Sequence, residues 1–199
     1  MTTMTKEIQQ QMTPEEALNR LLAGNRRFVE NQNERPDLSE QVRASATGQY
    51  PFAAVLGCID SRAPAELIFD QGIGDIFNAR VAGNIVNEDI LGSLEYACKV
   101  ANSKLILVLG HTACGAVTAA CKQVELGNIT ALLSKITPAV NSFGNASPEV
   151  DEVARQNVQL NIQRIKEESE ILSEMESTGE IQIRGAMYDV ATGNVTMLD

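Results

Sequence analysis

A chain of 199 residues, 44% of them apolar, is long enough for one sizeable domain with a real core and too short for two comfortable ones. Its 26 acidic against 16 basic side chains give a formal charge of −10, which argues against a basic nucleic-acid footprint and against adhesion to anionic membranes. No stretch has the length of a transmembrane helix, the amino-terminal MTTMTKEIQQQM lacks the apolar core of a secretory signal, and the expected compartment is the cytoplasm.

Residues 1–12 are polar and are expected to fray. Thr13-Pro14-Glu15-Glu16 then reads as a helix start: Thr13 caps, Pro14 suits the first turn, and Glu16 completes a capping box. Leu18, Leu21, Leu22 and Val29 follow at helical spacing, which predicts a helix to about residue 31. Residues 32–50 read as a polar connection with room for a short helix. Phe52 to Cys58 is a continuous apolar run, the pattern of a strand buried on both faces, and Lys104 to His111 is a second. Asp75 to Val81 is a candidate strand between them. Residues 88–101 carry Ile90, Leu91, Leu94, Ala97 and Cys98 on one helical stripe, with Tyr96 roughly opposite it. A further helix is expected from Cys114 to about residue 126, and residues 127–147 read as a connection with a short helical piece. Ser147-Pro148-Glu149 opens a long helix, and a strand from Glu180 to Met187, a turn at Thr192-Gly193 and a strand from Asn194 to Leu198 close the chain.

This alternation predicts an α/β fold in a single domain spanning residues 1–199. The expected form is an open, mostly parallel sheet of four strands plus a C-terminal edge strand, with helices on both faces and an N-terminal helical arm. Ligands of such sheets collect beyond the carboxyl ends of the strands. Cys58 lies just past one apolar run, His111 ends another, and Cys114 follows three residues later, so neighbouring parallel strands bring the three side chains to one edge. Two thiolates and an imidazole are borderline-soft donors that favour zinc over magnesium or calcium. Three protein ligands leave the fourth tetrahedral position open, the pattern of a catalytic site. With no secretory signal, four cysteines do not suggest a disulfide framework, and Cys98 and Cys121 fall within helical patterns as core thiols.

Cys58-Ile59-Asp60-Ser61-Arg62 alternates thiol, carboxylate and guanidinium at steps of two, which puts all three on one face of extended backbone. A carboxylate so close to a metal thiolate binds the metal or hydrogen-bonds to its water, and a bidentate arginine locks it away from the metal. Asp60 and Arg62 therefore read as a catalytic gate, against the plainer alternative of an ion pair that stiffens a turn.

Cys-Ile-Asp-Ser-Arg at 58–62, followed by Ala-Pro-Ala-Glu, and His-Thr-Ala-Cys-Gly at 111–115 together resemble the paired signatures of beta-class carbonic anhydrases. The similarity extends over nearly the whole chain. It implies a single zinc ion per chain on Cys58, His111 and Cys114, with Asp60 and Arg62 as the catalytic dyad. Gln49 of Gly48-Gln49-Tyr50-Pro51, Phe77, Tyr96 and Gly115 match substrate-pocket positions, of which Phe77 and Tyr96 match positions often contributed across a dimer interface. The resemblance thus implies a homodimer or dimer of dimers. Val81, where many members carry asparagine after the arginine, is a departure.

The implied reaction is reversible hydration of carbon dioxide to bicarbonate and a proton by hydroxide on zinc. His111 is the sole histidine, so no imidazole remains to shuttle the proton. Two rivals share these ligands: a hydrolase of carbonyl sulfide or carbon disulfide, and a zinc-binding scaffold without catalysis. A nucleoside deaminase would need H-x-E and P-C-x-x-C, and neither occurs.

Overall fold

The computed structural model describes residues 4–34, 37–144, 146 and 148–198. In chain order these form α1 (Lys6–Gln11), α2 (Pro14–Val29), α3 (Leu38–Ser45), β1 (Ala53–Gly57), α4 (Ala65–Ile68), β2 (Ile76–Arg80) and α5 (Glu88–Glu95). A π-turn (Tyr96–Val100) extends α5, and β3 (Leu105–His111), α6 (Gly115–Cys121), α7 (Gly127–Leu133) and α8 (Thr137–Asn141) follow. The chain ends with α9 (Val150–Glu168), α10 (Glu170–Ser177), β4 (Gln182–Tyr188) and β5 (Val195–Leu198).

The sheet order is β2-β1-β3-β4-β5, with β5 antiparallel to β4 and the rest parallel. This is the expected α/β architecture. Every residue of β1 and β3 is buried, as their unbroken apolar runs require. Alternate side chains serve two cores. Ala54, Leu56, Ile106 and Val108 face a cluster roofed by α5, α6, α9 and α10. Ala53, Val55, Leu105, Leu107 and Leu109 face a second, covered by α2 and α4. From β1 the chain runs first to β2 on one side and then to β3 on the other. The carboxyl ends of β1 and β3 therefore flank a topological switch point, where the connections diverge and leave a crevice.

The capping box at α2 forms as expected: Thr13 Oγ1 accepts from the Glu16 N–H at 3.2 Å, and the Glu16 carboxylate accepts from the Thr13 N–H at 2.8 Å. The polar connection before β1 holds α3, started by Asp37, whose Oδ1 accepts from the backbone of Ser39 and Glu40. Of the expected cap at Ser147-Pro148-Glu149, Ser147 lies outside the described residues.

One expectation is corrected at the amino terminus. Residues 6–11 are helical rather than frayed, because Met4 and Gln9 are anchored. The buried Gln9 amide donates to the carbonyls of Pro51 and Ala101, both at 2.7 Å, and so pins α1 to the amino edge of the sheet. Two helix expectations also change. The helix expected over 88–101 passes into a π-turn at Tyr96, which shifts the register of its apolar stripe. The helix expected to reach residue 126 stops at Cys121, and Gln123 adopts a left-handed backbone (φ 51°) just beyond.

Candidate metal centre

Cys58 follows β1 directly, His111 is the last residue of β3, and Cys114 sits at the start of α6. The Cys58 and Cys114 sulfurs and a His111 ring nitrogen lie within 4.8 Å of one another, and all three side chains are buried. His111 Nδ1 is 2.9 Å from the Thr112 carbonyl, which fixes the proton on Nδ1 and leaves Nε2 as a lone-pair donor. Nε2 is buried without a hydrogen-bond partner and faces the two sulfurs. Such an orphaned atom between two thiols is costly to bury unless a cation takes its lone pair. The donor set, Cys₂His with room for a fourth ligand, fits zinc.

The hydrogen bond from Cys114 holds the Cys58 thiol well below the ordinary range against the opposing effect of burial, helped by His111 and the Gly83 N–H. The same partnership, with burial, pushes the Cys114 thiol up. Burial lowers the His111 pKa, but Cys58, the Thr112 carbonyl and the Asp60 charge together outweigh it, and the net shift is upward. Two sulfurs and a carboxylate thus face the imidazole nitrogen, and a divalent cation bound there would displace the thiol protons.

Two turns set the ligand geometry. In the first, Gly83 takes φ 71° and its N–H donates to Cys58 Sγ at 3.3 Å. A β-carbon there would lie 2.5 Å from Ile136 Cδ1 and 3.3 Å from Ala116 Cβ, so only glycine fits. In the second, Ala113 adopts φ 53° between His111 and Cys114. A left-handed alanine costs about 1–2 kcal/mol. Its N–H donates to Asp151 Oδ1 at 2.8 Å, and its carbonyl accepts from Arg62 at 3.3 Å.

Asp60 and Arg62 form a two-pronged pair: Nε to Oδ1 at 2.9 Å and Nη2 to Oδ2 at 2.8 Å. The Arg62 N–H also donates to Oδ1 at 2.9 Å. The guanidinium holds the Asp60 carboxyl far below the usual carboxylate range, so it is ionised and accepts only. Asp60 Oδ2 lies 3.9 Å from His111 Nε2, at the rim of the ligand cluster. Arg80, from the end of β2, braces this loop from below by donating to the carbonyls of Cys58 (2.8 Å) and Asp60 (2.5 Å).

The expected pocket residues fall elsewhere within the chain. Phe77 and the half-exposed Tyr96 meet edge to face, with ring centroids 6.3 Å apart. Both line a cavity of about 670 Å³ at the β2 edge that also includes Asn78 and Arg80 but none of the three ligand candidates. Gln49 is exposed and precedes β1, at the opposite end of the sheet from the ligands. Gly115 is exposed beside Cys114, and a side chain there would meet nothing within 4 Å. Sequence reading missed Gly83, Arg80, Asp151 and Asn157 as parts of this architecture. The Gly83-Asn84 pair is a turn signal; the other residues carry none.

The protein-family model described as carbonic anhydrase matches residues 53–195, which include Cys58, Asp60, Arg62, His111 and Cys114. The chain belongs to the beta-carbonic anhydrase family. It is 37% identical over 193 residues to carbonic anhydrase 2 of Mycobacterium tuberculosis, covering 94% of this chain and 93% of that protein. The carbonic anhydrase of Mycolicibacterium smegmatis is also 37% identical, over 92% of this chain and 93% of its own length. Among solved structures, the beta-carbonic anhydrase CafA of Aspergillus fumigatus superposes with a TM-score of 0.71 at 27% identity, covering 92% of this chain and 90% of that one.

Proposed function

We propose that this chain catalyses the reversible hydration of carbon dioxide to bicarbonate and a proton in the cytoplasm, with a single zinc ion held by Cys58, His111 and Cys114. The observation that carries the reading is the convergence of these three buried donors within 4.8 Å, with an unpartnered imidazole nitrogen facing the thiols. Family membership supports it. Zinc bound there supplies a Lewis acid that brings the pKa of water toward neutrality.

The chain's own groups do the rest. Ionised Asp60 accepts a hydrogen bond from the attacking water and so orients its remaining lone pair. Arg62 keeps that carboxylate at the rim of the ligand cluster, and Arg80 fixes the backbone beneath it. If Arg62 lets go, Asp60, already 3.9 Å from His111 Nε2, would be free to swing toward the three donors and close the space left for water. Gly115 leaves open space beside Cys114 for a small substrate. Phe77, Tyr96 and Gln49 supply the apolar wall and an amide. Because one chain keeps them away from its own ligands, they serve a second copy, which implies a homodimer or a dimer of dimers. With His111 committed as a ligand and no other histidine present, protons leave through water or external buffer.

Stopped-flow hydration of carbon dioxide, with zinc quantified in the same sample, tests the reading. Fast hydration with stoichiometric zinc, both abolished in Cys58→Ser, is the expected result. Zinc without hydration would redirect the assignment to carbonyl sulfide or carbon disulfide, or to a non-catalytic scaffold, and hydrogen sulfide release separates those two.

A further inference from the structure

Side chains of helix α9 hydrogen-bond to both turns that set the three candidate ligands, the Gly83 turn beside Cys58 and the turn between His111 and Cys114. Near the middle of α9, the buried Asn157 amide donates to the Gly83 carbonyl at 2.9 Å, and the Gly83 N–H in turn donates to Cys58 Sγ. One turn later, Asn161 Oδ1 accepts from the Val86 N–H at 2.8 Å, while its own amide donates back to the Asn157 carbonyl at 2.7 Å. In the first turn of the helix, Asp151 Oδ1 accepts from the Ala113 N–H at 2.8 Å. Ala113 is the left-handed residue of the His111–Cys114 turn, and Arg62 takes its carbonyl from the other side. Both polar groups of this disfavoured residue are thus held, one by α9 and one by the dyad. Without the carboxylate, Ala113 is free to relax toward extended backbone, which would swing Cys114 away from His111.

We propose that Asp151 is a positioning residue of the metal centre: through the Ala113 N–H it fixes the spacing between His111 and Cys114 and so preorganises the site for zinc. The inference rests on these residues being zinc ligands. Ligand-orienting partners of this kind typically account for a 10- to 100-fold change in metal affinity. The competing role for Asp151 is electrostatic, an acidic residue favoured at a helix start. Two variants separate the roles. Asp151→Asn removes the charge but keeps an oxygen that can accept the same N–H. Glu152→Ala removes a charge from the same turn, where Glu152 is exposed and makes no bond to the ligand turns.

The experiment compares wild type, D151A, D151N and E152A, loaded with zinc and challenged with a chromophoric chelator. Cobalt-substituted samples are compared by their thiolate-to-cobalt absorption, and metal-free samples by thermal unfolding. In D151A, zinc affinity is expected to fall by about 10- to 100-fold and the cobalt spectrum to change, while D151N and E152A stay close to wild type. Zinc held as tightly in D151A as in wild type would overturn the proposal. So would a D151N as weak as D151A, or losses in E152A that match those in D151A, since charge at the helix start would then be responsible. Failure of wild type itself to take up zinc or cobalt would instead remove the zinc reading on which the proposal rests.

Discussion

Replacing Gly83 by alanine should cost far more than replacing a glycine of similar backbone shape in open surroundings. At φ 71° any L side chain pays the left-handed penalty, about 1–2 kcal/mol. The added β-carbon also lands 2.5 Å from Ile136 Cδ1, and Ile136 is fully buried in the core under α6 and α9. Overpacking of a filled core costs about 1–3 kcal/mol. The expected total is therefore about 2–5 kcal/mol, a large share of the roughly 5–15 kcal/mol that stabilises a domain. Gly179 provides the control: its φ is 78°, and a β-carbon there meets nothing within 4 Å, so Gly179→Ala should pay the conformational penalty alone. Urea denaturation at one protein concentration, with chelator present so that metal binding does not enter, gives both values. Ile136→Val removes Cδ1, and in the double variant G83A/I136V it should restore part of the loss as a positive coupling in a double-mutant cycle. If G83A is no more destabilising than G179A, or if I136V rescues nothing, Ile136 does not define the fit and the argument for an obligate glycine fails.

Arg62→Ala should lower carbon dioxide hydration by about 10²- to 10⁴-fold, as expected when a proton-handling carboxylate loses its position, while leaving thermal unfolding nearly unchanged because Arg62 is half exposed. Stopped-flow rates set beside melting curves check it, and parallel losses in both would refute it. Hydration by wild type at high substrate should rise with buffer concentration, since the proposed zinc site takes the single histidine; a flat response would point to an internal shuttle. With zinc bound, only the half-buried Cys121 should react with a thiol reagent at neutral pH, because burial pushes the Cys98 thiol up to about 12. Chelation should then expose Cys58 to labelling, which mass spectrometry of the modified peptides resolves. Gln9→Ala should destabilise by about 1–3 kcal/mol, because the part-buried Ala101 carbonyl loses its side-chain donor while the Pro51 carbonyl keeps the Ser103 hydroxyl, and denaturant titration measures it.

The sheet was legible because its central strands are buried on both faces. Phe52 to Cys58 and Lys104 to His111 read as continuous apolar runs, a signal that depends on burial rather than on tertiary detail, and β1 and β3 fall within them. The capping box at Thr13 was equally local. What escaped depends on partners distant in sequence. Helix α1 is short and polar, and it is held by one glutamine that reaches residues 42 and 92 positions away. Helix α10 begins where Ser169 breaks α9 with extended backbone, and its cap is braced by a 2.6 Å hydrogen bond to Glu95. The π-turn at Tyr96 was invisible to a 3.6-residue period, since one extra residue in a turn breaks the phase on which that reading relies.

The site divides along the same line. The convergence of Cys58, His111 and Cys114 was legible because strand ends of a parallel sheet deliver side chains to one edge, whereas Asp60 and Arg62 meet through a turn at residues 61–62 rather than along the extended backbone expected of them. The groups that hold them in place, Arg80, Gly83, Asp151 and Asn157, act mainly on backbone atoms, and a hydrogen bond to a carbonyl or an N–H leaves no pattern of side-chain types to detect. The pocket residues follow a third logic. Gln49 lies before β1 and the ligands after it, so no arrangement of a rigid five-residue strand brings them together in one chain. A site that uses both must join opposite ends of two sheets. Phe77 and Tyr96, packed edge to face around an open cavity beside the edge strand β2, stand where such a neighbour would be met. Dilution below the dissociation constant of the dimer should therefore abolish hydration while every chain keeps its zinc, a loss that a self-contained site would not suffer.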